Sequence, residues 1–182
     1  FTYDPLDTRP AALEAAEITE PLTDERYLRN TFGNGVVYTS EAFPAATEVT
    51  GFARLRVFLK LDVPDTDLKA SLYEVLPNGG SVLLAEDQVR ARYRESLTRE
   101  TLVPPGQVLP YDFDAFPFFS RLVQKGSRLR LFLRCPNTIF LQKNYNSGKP
   151  VAEETAKDAR TAHVTVYHET PYPSALEIPI AH

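Results

Sequence analysis

The stretch ARLRVFLKLD, residues 53–62, decides the fold class because its apolar and polar side chains alternate. The odd positions from 55 to 61 are all leucine or valine, whereas Arg54, Arg56 and Lys60 occupy even positions. Successive side chains of an extended backbone point to opposite faces, so a period of two is typical of a half-buried β-strand. This stretch therefore predicts a strand with one face in a hydrophobic core.

The same alternation recurs along the chain, which predicts an all-β protein. It appears in SRLRLFLR, VRARYR, AHVTVYH and ALEIPI, where VRARYR places Arg90, Arg92 and Arg94 on the outer face. Further strands are predicted at residues 35–40, 68–76, 81–87 and 107–114. Turn signals such as VPDTD, PNGG, PPG and KGS separate them. About nine strands at this spacing favour a jelly-roll β-sandwich.

Helix is predicted only near the N-terminus, where residues 10–18 are rich in alanine and glutamate and residues 23–30 permit another turn or two. We expect residues 1–34 to be an irregular lead-in from an upstream domain and residues 35–182 to form the sandwich. The chain begins with phenylalanine and contains no methionine, which indicates a fragment of a longer protein.

Composition excludes several classes of function. The formal net charge is −4, whereas nucleic-acid binding needs a basic surface. The longest apolar runs are far shorter than the roughly 20 residues that span a bilayer. Cys135 is the one cysteine, so no disulfide forms within the chain, and we expect a buried, unreactive thiol. We therefore expect a soluble protein. The sequence does not fix its compartment, and the cytoplasm is favoured.

No segment carries a complete catalytic set. The Gly-x-Ser-x-Gly turn of α/β-hydrolases is missing, and Leu83 stands where Ser81 would need the last glycine. His163 and His168 are five residues apart on a strand and therefore point to opposite faces. We expect His163 to face solvent and His168 to make a hydrogen bond at the strand end, with no catalytic residue in the chain.

Three carboxylates lie close together in LDVPDTD, as Asp62, Asp65 and Asp67. Oxygen ligands of this kind suit Ca²⁺, which makes the three residues candidate metal ligands. The blander interpretation is a turn, in which Asp side chains bond to nearby backbone amides. The glycine and distal glutamate of a calcium loop are missing, so we expect no metal and no cofactor.

Two other stretches offer candidate contact residues. Phe116, Phe118 and Phe119 surround a proline, and we expect them to be core residues or an apolar patch for docking. Asn144, Tyr145 and Asn146 lie in a polar loop that suits either a sugar or ordinary turn chemistry. The sequence has no tryptophan, which weakens the case for sugar stacking.

Several short motifs in order resemble the C-terminal domain of the X-Pro dipeptidyl-peptidase family of serine hydrolases, which includes cocaine-esterase-like and acylase-like enzymes. The resemblance covers residues 35–181. Its motifs are VYTSE (37–41), EVTG (48–51), PDTD (64–67), RARYRES (90–96), PPG (104–106), KGSRLRL (125–131), NYNSG (144–148) and VYHETPYPSALEIPI (166–180).

The resemblance implies a galactose-binding-like jelly roll that accompanies an α/β-hydrolase domain of the same polypeptide. The catalytic triad of that family lies upstream, so no triad residue is expected here. The resemblance also implies packing on the catalytic domain, and it leaves homo-oligomers open. The alternative is a carbohydrate-binding module of the same fold. Ser127 replaces a frequent family histidine, so the loop 135–145 is expected to differ in shape.

Overall fold

The computed structural model describes residues 1–16 and 32–181. Within them the chain forms eleven strands: β1 (Thr2–Tyr3), β2 (Gly35–Thr39), β3 (Thr47–Gly51), β4 (Arg54–Leu61), β5 (Asp67–Val75), β6 (Ser81–Arg90), β7 (Val108–Phe113), β8 (Phe119–Val123), β9 (Arg128–Arg134), β10 (Ala162–Tyr167) and β11 (Ala175–Glu177). Helix α1 (Arg9–Ala16) corresponds to the first predicted helix. The second predicted helix, at 23–30, lies outside the described residues.

The strands form two main antiparallel sheets and one strand pair. In the first sheet β4 pairs with β10 and β11 along one edge and with β7 along the other, and β1 pairs with β10. The second sheet has the order β2–β9–β5–β6, and β3 pairs with β8. This architecture confirms the predicted all-β sandwich. The finer assignment to galactose-binding-like jelly rolls stays a prediction.

The core lies between the two main sheets, and the alternating leucines fill it. Leu55, Val57, Leu59 and Leu61 of β4 are at most 3% exposed. They share one cluster with inward-facing residues of β5 and β9, among them Leu68, Leu72, Leu129, Leu131 and Leu133. Burying a leucine side chain contributes roughly 1.5–3 kcal/mol, so this seam is the main source of stability.

Two local features follow from residue chemistry. Pro110 lies in β7, which is an edge strand and therefore tolerates a residue with no backbone N–H to donate. The PNGG segment closes the β5–β6 hairpin, where Gly79 has φ 91° and Val75 pairs with Ser81. The predicted hairpin is thus confirmed.

The first residues belong to the sheet. Thr2 pairs with His163, and the buried Tyr3 hydroxyl donates to the Pro136 carbonyl oxygen at 3.1 Å. The predicted division between 1–34 and 35–182 stays a prediction. No helix among the described residues is long and apolar enough to cross a membrane.

Candidate functional site

The most concentrated polar chemistry lies at one end of the sandwich, around a buried ion pair between Asp65 and Arg92. Asp65 is 0% exposed and Arg92 is 2% exposed. The guanidinium Nε of Arg92 donates to Asp65 Oδ2 at 2.8 Å, and its backbone N–H donates to Oδ1 at 2.9 Å. The two contacts fix both the side chain and the backbone of Arg92 against the PDTD turn.

Arg92 was predicted on an outer strand face, and that prediction is wrong. The strand β6 ends at Arg90, and residues Ala91–Tyr93 form a 3-10 turn. This turn breaks the period of two and rotates Arg92 inward. Burying a guanidinium without a partner is costly, so the Asp65 carboxylate is required at this position.

A second carboxylate extends the network. Arg90 binds Asp67 through two nitrogens, at 2.7 and 3.0 Å. The Asn144 amide donates to Asp65 at 2.7 Å and to Asp67 at 3.1 Å, and it thereby joins the two pairs. We call Asp65, Asp67, Arg90, Arg92 and Asn144 the carboxylate–guanidinium network.

The network joins three segments that are far apart in sequence. They are the turn at 64–67, the end of β6 and the loop at 144–149, whose Lys149 carbonyl oxygen accepts a bond from Arg92 at 2.6 Å. These segments are three of the motifs that carry the family resemblance. Sequence reasoning missed the pairing because 27 residues separate Asp65 from Arg92.

The network clamps loops together and carries no nucleophile. Burial raises the pKa of Asp65, and this effect outweighs the opposing hydrogen bonds from Asn144 and Arg92. A buried guanidinium with a dedicated carboxylate is committed to structure, since separating the two would leave an isolated charge. Its chemistry therefore suits rigid positioning of the loops.

The three aspartates proposed as metal ligands have different partners. Asp65 and Asp67 bind arginines, whereas Asp62 is exposed and lies 2.7 Å from His163 Nδ1. Among residues 1–16 and 32–181, no three His, Cys, Asp or Glu side chains are grouped to hold a metal ion. Their hydrogen bonds reach residues at least 23 positions away, so the expected bonding to nearby backbone amides is not what holds these side chains.

The two histidines lie in separate places. His163 is bound to Asp62 at the surface, and His168 Nε2 lies 2.9 Å from the Tyr38 hydroxyl. Ser81 is 1% exposed, and none of the described histidines is its hydrogen-bond partner. Among the described residues, no hydrogen bond joins a serine side chain to a histidine side chain.

The predicted sugar-contacting loop uses its amides internally. Asn144 is 3% exposed, and Asn146 is 0% exposed and donates to the Arg160 carbonyl oxygen at 2.7 Å. Tyr145 is half-buried, and its backbone N–H donates to Glu154 at 2.7 Å. The amides that the carbohydrate-binding alternative requires are therefore inside the protein.

The aromatic stretch divides between core and surface. Phe116 and Phe119 are buried, at 2% and 7% exposure, and both belong to the main core. Phe118 is 58% exposed and packs edge-to-face on Phe52, with ring centres 5.7 Å apart. Only Phe118 of the three residues is therefore accessible for docking.

Comparison with known proteins shows what this architecture is similar to. Over 183 aligned residues the chain is 28% identical to the cocaine esterase of Rhodococcus sp. (strain MB1 Bresler), covering 99% of this chain and 32% of the esterase. The chain thus spans about a third of the length of that relative.

Two solved structures share the fold. An α-amino acid ester hydrolase matches 100% of this chain and 32% of its own, with a TM-score of 0.87 and 19% identity. An aminopeptidase from the marine sediment archaeon Thaumarchaeota archaeon matches 88% of this chain and 28% of its own, with a TM-score of 0.82 and 23% identity.

The family model of the X-Pro dipeptidyl-peptidase C-terminal non-catalytic domain matches residues 3–177. Apart from Thr2 of β1, that range includes both main sheets and the carboxylate–guanidinium network. The chain belongs to the family of X-Pro dipeptidyl-peptidase C-terminal non-catalytic domains.

Proposed function

We propose that this chain is the noncatalytic C-terminal domain of a serine hydrolase that cleaves acyl esters, amides or X-Pro dipeptides. One observation carries the proposal: the non-catalytic family model matches 3–177, while the chain spans about a third of a known esterase. The reacting groups would lie in an α/β-hydrolase domain of the same polypeptide, upstream of the sandwich. Residues 1–34 would be the stretch by which the chain enters the sandwich, beginning with Thr2–Tyr3, which pair with β10.

The role of the domain would be to pack on the α/β domain, stabilise it and hold one wall of the catalytic cleft. A reaction site needs rigid supporting elements, because small displacements of reacting groups cost large factors in rate. The carboxylate–guanidinium network supplies such rigidity at one sandwich end, where it fixes three loops to one another.

Docking would use an exposed apolar strip on the β3–β8 pair. Gly51 pairs with Phe119, so Phe52 and Phe118 occupy the next cross-strand position, where they are 64% and 58% exposed. Leu122 lies on β8 at 63% exposure. Exposed apolar side chains grouped in this way mark interaction surfaces. We call Phe52, Phe118 and Leu122 the β3–β8 strip.

Hydrolysis of p-nitrophenyl acetate tests the absence of catalysis in this chain. The purified chain is expected to show the background rate, and a serine-directed inhibitor is expected to change nothing. Inhibitor-sensitive turnover by the chain alone would refute the proposal.

Substitutions in the β3–β8 strip test docking. The double variant Phe52→Ser/Phe118→Ser is expected to lower the melting temperature of the full-length hydrolase and to leave that of the isolated chain nearly unchanged. The matched control is Leu6→Ser, at a leucine that is 52% exposed outside the strip. Equal effects of the double variant in both proteins would contradict a docking role.

A further inference from the structure

A groove lies beside the carboxylate–guanidinium network. It runs between β7, an edge strand of the first sheet, and β6, an edge strand of the second sheet. Residues Asp87–Arg90 of β6 form one side, and 112–115 at the end of β7 form the other. The segment 93–97 and Leu141 close it. Its volume of about 590 Å³ is in the range of binding clefts.

Negative charge predominates in the groove. Its lining includes five carboxylates and two guanidinium groups: Asp67, Asp87, Glu95, Asp112, Asp114, Arg90 and Arg94. Both arginines already bind carboxylates, since Arg90 pairs with Asp67 at 2.7 Å and Arg94 pairs with Glu95 at 2.8 Å. Both guanidinium groups in the groove are therefore already neutralised by carboxylates of the same chain.

Asp112 pairs with Arg56 at 2.6 Å, so among the described residues only Asp87 and Asp114 of the five carboxylates lack a cation. Asp87 accepts backbone N–H groups of Ala115 and Gln88, at 2.9 and 2.6 Å, and binds no basic side chain among the described residues. Asp114 is exposed and likewise has no basic partner within residues 1–16 and 32–181, whereas Asp87 is half-buried. Burial raises the pKa of Asp87, and the nearby charge of Asp114 adds to this effect. The pair would be stabilised by a cation supplied from outside.

Two leucines line the groove beside its charged groups. Leu97 is 91% exposed, and Leu141 is half-buried. The segment that presents Leu97 is held firmly, because Arg94 donates to the Ala91 carbonyl oxygen and Tyr93 binds Glu100 at 2.8 Å. A small cation in the groove would leave Leu97 in water, whereas a polypeptide with an apolar side chain beside a basic one would cover it.

We propose that the groove receives a segment of the α/β-hydrolase domain that carries a lysine or arginine beside an apolar side chain. This inference rests on the proposed function. The basic group lies between Asp87 and Asp114, and the apolar group contacts Leu97. Along the chain, residues 114–118 connect the groove to Phe118 of the β3–β8 strip.

Hydrogen–deuterium exchange of the full-length hydrolase and of the isolated chain tests the inference. Segment 93–97 is expected to exchange at least about tenfold more slowly in the full-length protein, because docking restricts local opening. The variant Asp87→Asn/Asp114→Asn removes both charges and keeps one of the two Asp87 oxygens that accept backbone N–H groups. It is expected to remove most of that protection. A matched control is Glu153→Gln/Glu169→Gln, two exposed carboxylates outside the groove.

Leu97→Ser provides a second variant that leaves the folded chain intact, because the side chain is almost fully exposed. It is expected to weaken protection of the groove in the full-length protein. Identical exchange of 93–97 in both proteins, or protection that depends on protein concentration, would overturn the inference. If the β3–β8 strip exchanges more slowly in the full-length protein while 93–97 does not, the proposed function stands and only this inference fails. If exchange is the same in both proteins at both places, the proposed docking of the domain is refuted as well.

Discussion

Replacing Arg92 by methionine removes one partner of the buried ion pair and leaves Asp65 without its cation. Both side chains are at most 2% exposed, so solvent cannot compensate the remaining charge. Breaking a buried pair in this way costs about 3–5 kcal/mol of unfolding free energy. With a urea dependence of about 2 kcal/mol per molar, the unfolding midpoint is expected to fall by roughly 1.5–2.5 M.

The loss should depend on pH in a defined direction. The pKa of Asp65 is raised in the folded protein, so its contribution favours folding at low pH and is lost as pH rises through the folded pKa. Without Arg92 that pKa should rise further. The variant is therefore expected to lose less unfolding free energy, relative to the unsubstituted chain, near pH 4.5 than near pH 7.

Urea unfolding followed by tyrosine fluorescence measures both effects, since the chain has nine tyrosines and no tryptophan. The control is Arg54→Met, at an exposed position of β4, which is expected to change stability by at most about 0.5 kcal/mol. The double variant Arg92→Met/Asp65→Leu is expected to recover about half of the loss, because no isolated charge remains. A loss below about 1 kcal/mol near pH 7, or one independent of pH, would refute the ion-pair account.

Other parts of the structure give further predictions. In urea unfolding, Gly148→Ala should lower the unfolding free energy by at least about 1 kcal/mol more than Gly106→Ala does. Both glycines have φ near +85°, but only at Gly148 would the new Cβ lie 2.8 Å from Pro64 Cγ. Equal losses would contradict this. Burial raises the pKa of the Cys135 thiol to about 12, so the folded chain should not react with Ellman's reagent near pH 8 and should react once unfolded. Rapid reaction of the folded chain would show that the thiol is accessible.

Strands whose alternation was strong could be predicted from sequence. In β4 and β9 one face is apolar over the whole strand, so the pattern itself determines which side chains are buried. Strands β1, β3 and β8 were not predicted, because their short sequences were not recognised as alternating and they depend on pairing with distant segments. Tertiary contacts, more than local pattern, decide such strands.

The candidate site was harder to predict for a physical reason. Residues 89–94 alternate as a strand would, yet a 3-10 turn at Ala91–Tyr93 rotates Arg92 into the interior. The Arg92 guanidinium is held there by Asp65 and the Lys149 carbonyl oxygen, which are distant in sequence, and by Glu100, eight residues away. Similarly, Asn144 and Asn146 have the composition of an exposed loop and are buried because other segments need their hydrogen bonds.

Labelling of the full-length protein with a fluorophosphonate probe tests the central claim most directly. The probe bonds covalently to an activated serine, and peptide mapping then locates that serine. We expect one labelled serine in an α/β-hydrolase domain outside residues 1–182 and no labelling of the sandwich. A labelled serine within the sandwich, such as Ser81 or Ser127, would contradict the assignment of this chain as a noncatalytic domain.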